Sequence, residues 1–442
     1  MALSKDKVMS ICEDEDVKFI KIWFTDVLGY LKSFTISARE LEGAFAEGMG
    51  FDGSSIEGFA RISESDMVAM PDPNTFTILP WRPSEQGKVA RMFCDVLTPD
   101  GANYDGDPRY VLKRALAKAD AMGYKVFLGP ELEYFYFSND RTTQTLDKAG
   151  YFDVTPRDEA TDLRRQTVIA LEQMDIKVEY SHHEVAPSQH EIDLRYNEAL
   201  QMADTVMTYR MTVKEMAAIN GVYATFMPKP IFGQNGSGMH THQSLFAGSK
   251  NAFFDPKDQY YLSDVAKMYI EGLLRFAPEI TAVTNQWVNS YKRLVPGYEA
   301  PVYVSWARAN RSALVRVPLY KPGKEAATRC ELRCPDPACN PYLAFAVMIS
   351  AGLKGVEEKF ELRSPTEEDI FEMDEAERAA HGITSLPGSL AQAIELAEGS
   401  SLLKEALGDH VFEKFIANKK LEWDMYRTQV HQYELDKYLP LL

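Results

Sequence analysis

Gly129-Pro-Glu-Leu-Glu-Tyr134 lies inside a run, Tyr124 to Phe137, whose aromatic and β-branched residues predict a β-strand. Successive strand residues point to opposite faces, so Glu131 and Glu133 share one face. Around this strand the pattern alternates. Asp158 to Met174 reads as a helix, Lys177 to Tyr180 and His190 to Tyr196 as strands, and Asn197 to Ile219 as a long helix. Tyr223 to Met227 and Met239 to Phe246 are strands again, and the charged tail from Gly388 is helical. Asn340 and Pro341, a capping residue and a first-turn proline, open a buried helix through Tyr342 to Leu353. Upstream, Val17 to Phe24 and Leu28 to Ile36 read as strands around a turn at Gly29. Met49 to Ser55 carries too much Gly and Ser for regular structure. Asp107-Pro108 opens an amphipathic helix, Tyr110 to Met122, which Gly123 ends. The change of character near residue 105 predicts a small β-rich domain, 1–105, followed by a larger one, 106–442, in an α+β fold.

The 442 residues are 45% hydrophobic and 26% charged, a globular composition with material for a large core. A formal net charge of -17 repels nucleic acid and anionic lipid, which argues against both as partners, and supplies carboxylates for hard cations. The five cysteines form no disulfide framework. Cys330, Cys334 and Cys339 cluster without CxxC spacing and read as reduced thiols of a cytoplasmic protein, not as zinc ligands. No apolar signal region opens the sequence, and Tyr342 to Leu353, the longest apolar stretch, is too short to span a bilayer.

Polar residues recur at period two elsewhere. In Met239-His-Thr-His242 the two histidines share a face; in Arg329-Cys-Glu-Leu-Arg333, Arg329, Glu331 and Arg333 do. In the segment His182 to Glu191, Glu184 and Glu191 flank a proline-containing turn. Each alone is compatible with a solvated face or a surface ion-pair ladder. Together, Glu131, Glu133, Glu184, Glu191, His240 and Glu331 could supply ligands to two Mg²⁺ or Mn²⁺ ions, and arginines beside them suit phosphate or carboxylate. That combination describes phosphoryl transfer. There is no GxxxxGK[ST] loop, and Gly233-Gln-Asn-Gly-Ser-Gly238 precedes a strand rather than a helix, so ATP would bind outside the P-loop and dinucleotide schemes.

Phe51-Asp-Gly-Ser-Ser55, GPELEYF, SHHEVAPSQHEID, KPIFGQNGSGMHTHQSL, YKRLVPGYEAP, ARANRSALVR and RCELRCPDPACNPYLAFA follow in this order over nearly the whole chain. They resemble the signatures of the glutamine synthetase family, and the length and the SHHEVAPSQHE spacing are similar to its prokaryotic type I. The resemblance implies a β-grasp domain before a catalytic domain on a curved antiparallel sheet with helices, the glutamine synthetase/guanido kinase-like fold. It implies a dodecamer of two stacked hexamers with active sites between subunits, and ATP-dependent ligation of ammonium to L-glutamate through γ-glutamyl phosphate. Two or three Mg²⁺ or Mn²⁺ ions would bind per subunit, one site using Glu133, Glu184 and Glu191 and another Glu131, His240 and Glu331. Arg293 and Arg333, with Asn235 and Gly236, would hold glutamate. Arg311, Arg316 and Arg329 would bind phosphate groups, and Tyr196, His242 and Ser244 would line the adenine end. Asp52, Tyr151, Glu184 and Glu299 would form the ammonium pocket, with Asp52 and Ser55 donated by a neighbouring subunit. Tyr291 to Pro301, around Glu299, would be a mobile flap.

The sequence departs from relatives in places. Phe371 stands where some type I enzymes carry an adenylylated tyrosine, so the resemblance points to the shorter, non-adenylylated subclass. Ala326 replaces a lysine common near the nucleotide. Arg61 resembles a position tied to glutamine feedback in that subclass, with a surface arginine as the alternative. Phe24 resembles one in the 2-oxoglutarate activator site of some archaeal relatives, and the resemblance admits regulatory proteins as partners. The rival readings are a γ-glutamyl-amine ligase and a non-catalytic regulatory member. Retention of Asp52, Tyr151 and Glu299 favours ammonium, and retention of the metal ligands and Arg293 favours catalysis.

Overall fold

The computed structural model describes residues 3–58, 66–82, 85–310 and 312–442; Arg61 and Arg311 lie outside the described residues. The first part of the chain builds a sheet from β1 (Val17–Thr25), β2 (Leu31–Ser37), β3 (Met49–Asp52), β4 (Asp66–Pro71), β5 (Thr77–Ile78) and β6 (Lys88–Leu97), in the order β2-β1-β6-β4-β3 with β5 beside β6. β1 and β6 run parallel and the other pairs antiparallel. Helices α1 (Lys5–Asp14) and α2 (Leu41–Glu47) cover it, and Ile20, Ile22, Leu41, Phe45 and Met92 are in its buried core. This is the expected β-grasp. Met49 to Ser55, read as irregular, instead begins as β3 and turns into a short 3₁₀ segment, because pairing with β4 outweighs the weak strand preference of its glycines. Phe24, a candidate effector contact, is buried with its ring 4.8 Å from that of Phe51.

The second sheet consists of β7 (Lys125–Phe137), β8 (Val178–His183), β9 (Gln189–Leu194), β10 (Asn197–Glu198), β11 (Tyr223–Thr225), β12 (Met239–Ala247), β13 (Lys250–Asn251), β14 (Trp306–Ala307), β15 (Val315–Arg316) and β16 (Cys330–Leu332). Its order is β14-β15-β16-β12-β7-β9-β8, antiparallel throughout except for the parallel β14–β15 pair at one edge. β7 is the spine, pairing along its length with β12, β9, β10 and β11.

Helices α3 (Pro108–Ala121), α4 (Thr161–Gln173), α5 (Ala199–Ile219), α6 (Asp264–Thr284), α7 (Ser290–Arg293) and α8 (Pro341–Glu357) accompany this sheet. Asp107 caps α3 and Asn340 caps α8 by accepting backbone N–H groups, each followed by proline at the first helical position. α4 begins at Thr161, later than expected, because the Asp158 carboxylate engages the Ala160 N–H and the Arg164 guanidinium ahead of the first turn. α8 is buried nearly all round. It meets α6 backbone to backbone: a Cβ on Gly272 would lie 2.2 Å from the Ala351 carbonyl oxygen, and one on Gly355 2.1 Å from that of Met268. Only glycine permits that approach. α6 is not anticipated by the sequence reading, and Pro278 sits inside it. Further helices follow: Leu390–Glu398 packs on α6 and Ser401–Leu407 on α8, and Asp409–Arg427 packs on both of these further helices. Among the described residues no helix is long and apolar enough to cross a membrane, and all five cysteines are free and buried.

Candidate active site

The register of the second sheet aligns polar side chains from separate stretches of sequence. His240 on β12 faces Glu131 on β7, which faces Asp193 on β9, which faces Tyr180 on β8. Glu133 faces Glu191, which faces His182. On the other side His242 faces Glu331 on β16, and Glu331 faces Arg316 on β15. Period-two spacing within each strand puts these rows on one face.

The pairs are in contact. His242 Nε2 lies 2.7 Å from Glu131 Oε1, and Arg329 Nε donates to His242 Nδ1 at 3.1 Å. A guanidinium is only a donor, so Nδ1 is the accepting nitrogen and Nε2–H donates to Glu131. Glu331 is fully buried and accepts from Arg316 Nε at 2.5 Å and Arg333 Nη1 at 2.7 Å. Glu133 accepts from Gln189 Nε2 and from the Gly238 N–H, each at 2.9 Å. Gln189 also donates to the Gly236 carbonyl, which ties the glycine-rich loop to the floor.

The electrostatics divide the face in two. Burial raises the Glu133 carboxyl to about 8, with Glu184 adding to it. Burial also lifts Glu191 well above the ordinary carboxylate range, reinforced by Asp193, and raises Glu184. Around Glu331, burial works against ionisation, but His242, Arg333 and His240 bring its pKa down to about 2. Burial likewise opposes the Glu131 carboxylate, yet His242 and His240 hold it well below its usual value. Burial and Arg333 push His240 down to about 4, so it is neutral at pH 7. One half is therefore a cluster of crowded carboxyls that a cation would relieve, and the other an ionised carboxylate network braced by arginines.

Above this face lies a cavity of about 510 Å³ lined by Glu131, Glu133, Tyr151, His182, Glu184, Glu191, His240, Glu299, Arg316 and Arg333, among others. An adjoining cavity of about 310 Å³ shares Glu131 and Tyr180 with it and is lined by Phe127, Tyr196, His242, Ser244, Ala326, Thr328 and Arg329. Its lining combines aromatic and small side chains with Arg329, a polarity suited to a planar ring carrying an anionic tail.

Most expected residues meet at these cavities, but not all in the expected way. Ligand atoms of His182, Glu184 and Glu191 lie within 4.8 Å of one another, as do those of Glu131, His242 and Glu331. His182 and His242 join these groups beside the expected residues: His240 Nδ1 lies 3.6 Å from Glu131 and 3.7 Å from Glu331, and Glu133 faces Glu191 across the strand pair. Period-two spacing through Tyr180, His182 and Glu184 could have singled out His182. Arg293 is buried, donating to the main-chain carbonyls of Arg333, Cys334 and Pro335 behind the cavity wall. Asn235 Nδ2 donates to Glu299 at 3.1 Å, and Glu299 adopts a left-handed φ of 59°. Phe371 lines the larger cavity. Asp52 and Ser55 do not line either cavity of this chain: Asp52 ends β3 and caps the following turn, where Ser55 Oγ donates to its carbonyl.

The chain matches the family models described as "Glutamine synthetase, beta-Grasp domain" over residues 16–99 and "Glutamine synthetase, catalytic domain" over residues 105–438. It is 55% identical over 446 residues to the glutamine synthetase of Mycolicibacterium smegmatis, covering 100% of both chains. To the glutamine synthetase of Methanosarcina mazei it is 54% identical over 443 residues, covering 99% of this chain and 98% of that one. The solved structure of Plasmodium falciparum glutamine synthetase superposes with a TM-score of 0.88 at 25% identity, with 99% of each chain covered. A GmaS/ADP complex superposes with a TM-score of 0.89 at 30% identity, covering 98% of this chain and 99% of that one.

Proposed function

We infer that this chain, which belongs to the glutamine synthetase family, makes glutamine from glutamate and ammonia with ATP. The observation that carries the site assignment is the single sheet face on which Glu131, Glu133, Glu191, His240 and Glu331 gather beside Arg316 and Arg333.

A carboxylate is a poor electrophile because its leaving group would be an oxide. Moving the γ-phosphoryl group of ATP onto the glutamate side chain creates an acyl phosphate with a good leaving group. Arg316 and Arg329, with Arg311, offset the charge that gathers during transfer. Tyr196, His242 and Ser244 hold the nucleotide end. Arg333 receives glutamate, and Arg293, Asn235 and Gly236 shape its loop. Glu184, Glu299 and Tyr151 attract ammonium, and Asp52 of a neighbouring copy, with Ser55 beside it, takes the proton that turns ammonium into a nucleophile. A dodecamer with sites between subunits accounts for Asp52 lying away from its own chain's cavities.

The residues fit divalent metals. Glu184 and Glu191 form one oxygen-rich group with the His182 imidazole beside them and Glu133 adjoining. Glu131, Glu331 and His240 form another, with His240 Nδ1 3.6 Å from Glu131 and 3.7 Å from Glu331. Such donors suit Mg²⁺ or Mn²⁺, and the crowded carboxyls around Glu133 gain from a cation. When bound, these ions supply charge neutralisation for the phosphoryl group. A cytoplasmic location and effectors such as glutamine or 2-oxoglutarate belong to the same reading.

The test is phosphate release from ATP with Mg²⁺ and glutamate, with and without ammonium, in parallel with methylamine and putrescine. Ammonium-dependent release with glutamine as product is expected. Release only with another amine would make the protein an amine ligase, and no release would turn the reading toward a non-catalytic role.

A further inference from the structure

We propose that Lys229 and Tyr298 form a clamp that holds the flap at Pro296 to Pro301 over the reacting acyl phosphate, making both positioning residues for the exclusion of water. The inference rests on the ligase reading above and deepens it.

Three observations carry it. The first is a fixed anchor. The Lys229 N–H donates to Asn289 Oδ1 at 2.7 Å, and Asn289 Nδ2 donates back to the Lys229 carbonyl at 3.1 Å. Asn289 directly precedes α7, the turn of helix that ends in Arg293. Lys229 is thus fastened to the element from which the flap departs.

The second is where its side chain goes. The ammonium lies over the Tyr298 ring, 3.7 Å from the centroid, and also donates to the Gln234 carbonyl. Lys229 therefore bridges the glycine-rich loop and the flap. It is half-buried, where an ammonium over an aromatic face is held more strongly than in open water.

The third is the backbone it restrains. Tyr298 stands between Gly297 at φ 91° and Glu299 at φ 59°. A left-handed glutamate is disfavoured unless contacts hold it. The Asn235–Glu299 hydrogen bond is one such contact and the Lys229–Tyr298 pair is the other. One orients the Glu299 carboxylate at the cavity; the other fixes the neighbouring residue to the protein body.

An open flap admits water. Water then attacks the carbonyl carbon of γ-glutamyl phosphate, forming a C–O bond as the C–O bond to phosphate breaks. Phosphate leaves with the electron pair, and a water proton is released to solvent. Glutamate is regenerated and the net result is ATP hydrolysis without glutamine.

The experiment measures phosphate and glutamine together in the full-length protein at saturating and limiting ammonium. Lys229→Met and Tyr298→Leu are each expected to raise the phosphate released per glutamine about 5-fold at limiting ammonium, the order a partly desolvated cation–π contact supports. Lys229→Arg and Tyr298→Phe keep a cation and a ring and should retain the wild-type ratio. A purely structural role would lower the melting temperature and leave that ratio alone. The clamp is overturned if both Lys229→Met and Tyr298→Leu stay coupled, or if only one of them leaks. Should Lys229→Met fail to fold, the leucine variant alone decides, since it alters only the flap. Absence of glutamine from the wild-type protein would instead remove the ligase reading itself.

Discussion

Gly236→Ala tests whether the glycine-rich loop is rigid. A Cβ at this position would stand 2.3 Å from the Pro228 carbonyl oxygen and 3.0 Å from Arg293 Cγ. Ordinary contact begins near 3.4 Å, so loop or neighbour must yield by roughly 1 Å. The obstructing atom is backbone, and Pro228 cannot retreat freely because its carbonyl accepts the Ser237 N–H at 2.8 Å, closing the loop. The displacement falls on the Gly236 carbonyl, which Gln189 holds, and through Gln189 on Glu133. A misplacement of about 1 Å near a reacting centre costs on the order of 100-fold in rate. Overpacking of this kind costs about 1–3 kcal/mol. With an unfolding entropy near 0.9 kcal/mol per kelvin for a chain of this length, the melting temperature should fall only about 1–3 °C. Initial rates with glutamate varied at saturating ATP and ammonium, beside a thermal melt, separate the two effects. The expected result is a large loss of kcat/KM for glutamate with a nearly unchanged melt. A kcat/KM within 3-fold of wild type would refute the reasoning, because the loop would then have moved without disturbing the floor.

Gly43→Ala is the contrasting case: nothing lies within 4 Å of its Cβ and it sits in α2, so stability should rise by about 0.5–1 kcal/mol with activity unchanged, as read by chemical denaturation. Glu331→Gln should lower stability by about 3 kcal/mol in the metal-free protein, since two guanidinium groups lose their carboxylate; an unchanged melt would mean that Arg316 and Arg333 find other partners. Glu133 makes the metal-free protein sensitive to pH. Its folded pKa of about 8 lies above the ordinary glutamate value of 4.5, so its contribution is complete below 4.5 and is lost as the pH rises toward 8. About 3 kcal/mol is lost by pH 7, so melts with chelator present should be higher at pH 5 than at pH 7. Mn²⁺ should reverse the trend and release protons at pH 7. Calorimetry in buffers of different ionisation enthalpy reads that release, and a titration without proton release would contradict the assignment.

Local rules made much of this protein legible. The Gly129 to Tyr134 segment could be read as a strand with two glutamates on one face because strand alternation is local, and α3 and α8 could be placed because Asp107-Pro108 and Asn340-Pro341 are local stop-and-start signals. The order of long motifs was enough for the family. Elements that depend on a partner were not legible. β3 is a strand because β4 lies beside it, and α6 is buried against α8 through Gly272 and Gly355, a closeness no periodicity reveals. The same distinction holds at the site. Glutamates and histidines could be nominated residue by residue, but sheet register set Glu133 against Glu191 and His242 against Glu331. Register joins stretches far apart in the chain and depends on the packing of the whole sheet. Tertiary structure also turned Arg293 onto main-chain carbonyls, set His182 against Glu191, and set Lys229 over Tyr298. Sequence thus determined which chemical groups the protein owns and which face of each strand carries them. Distance, burial and charge between those groups arose only when the sheet closed, because each is a property of pairs that folding brings together.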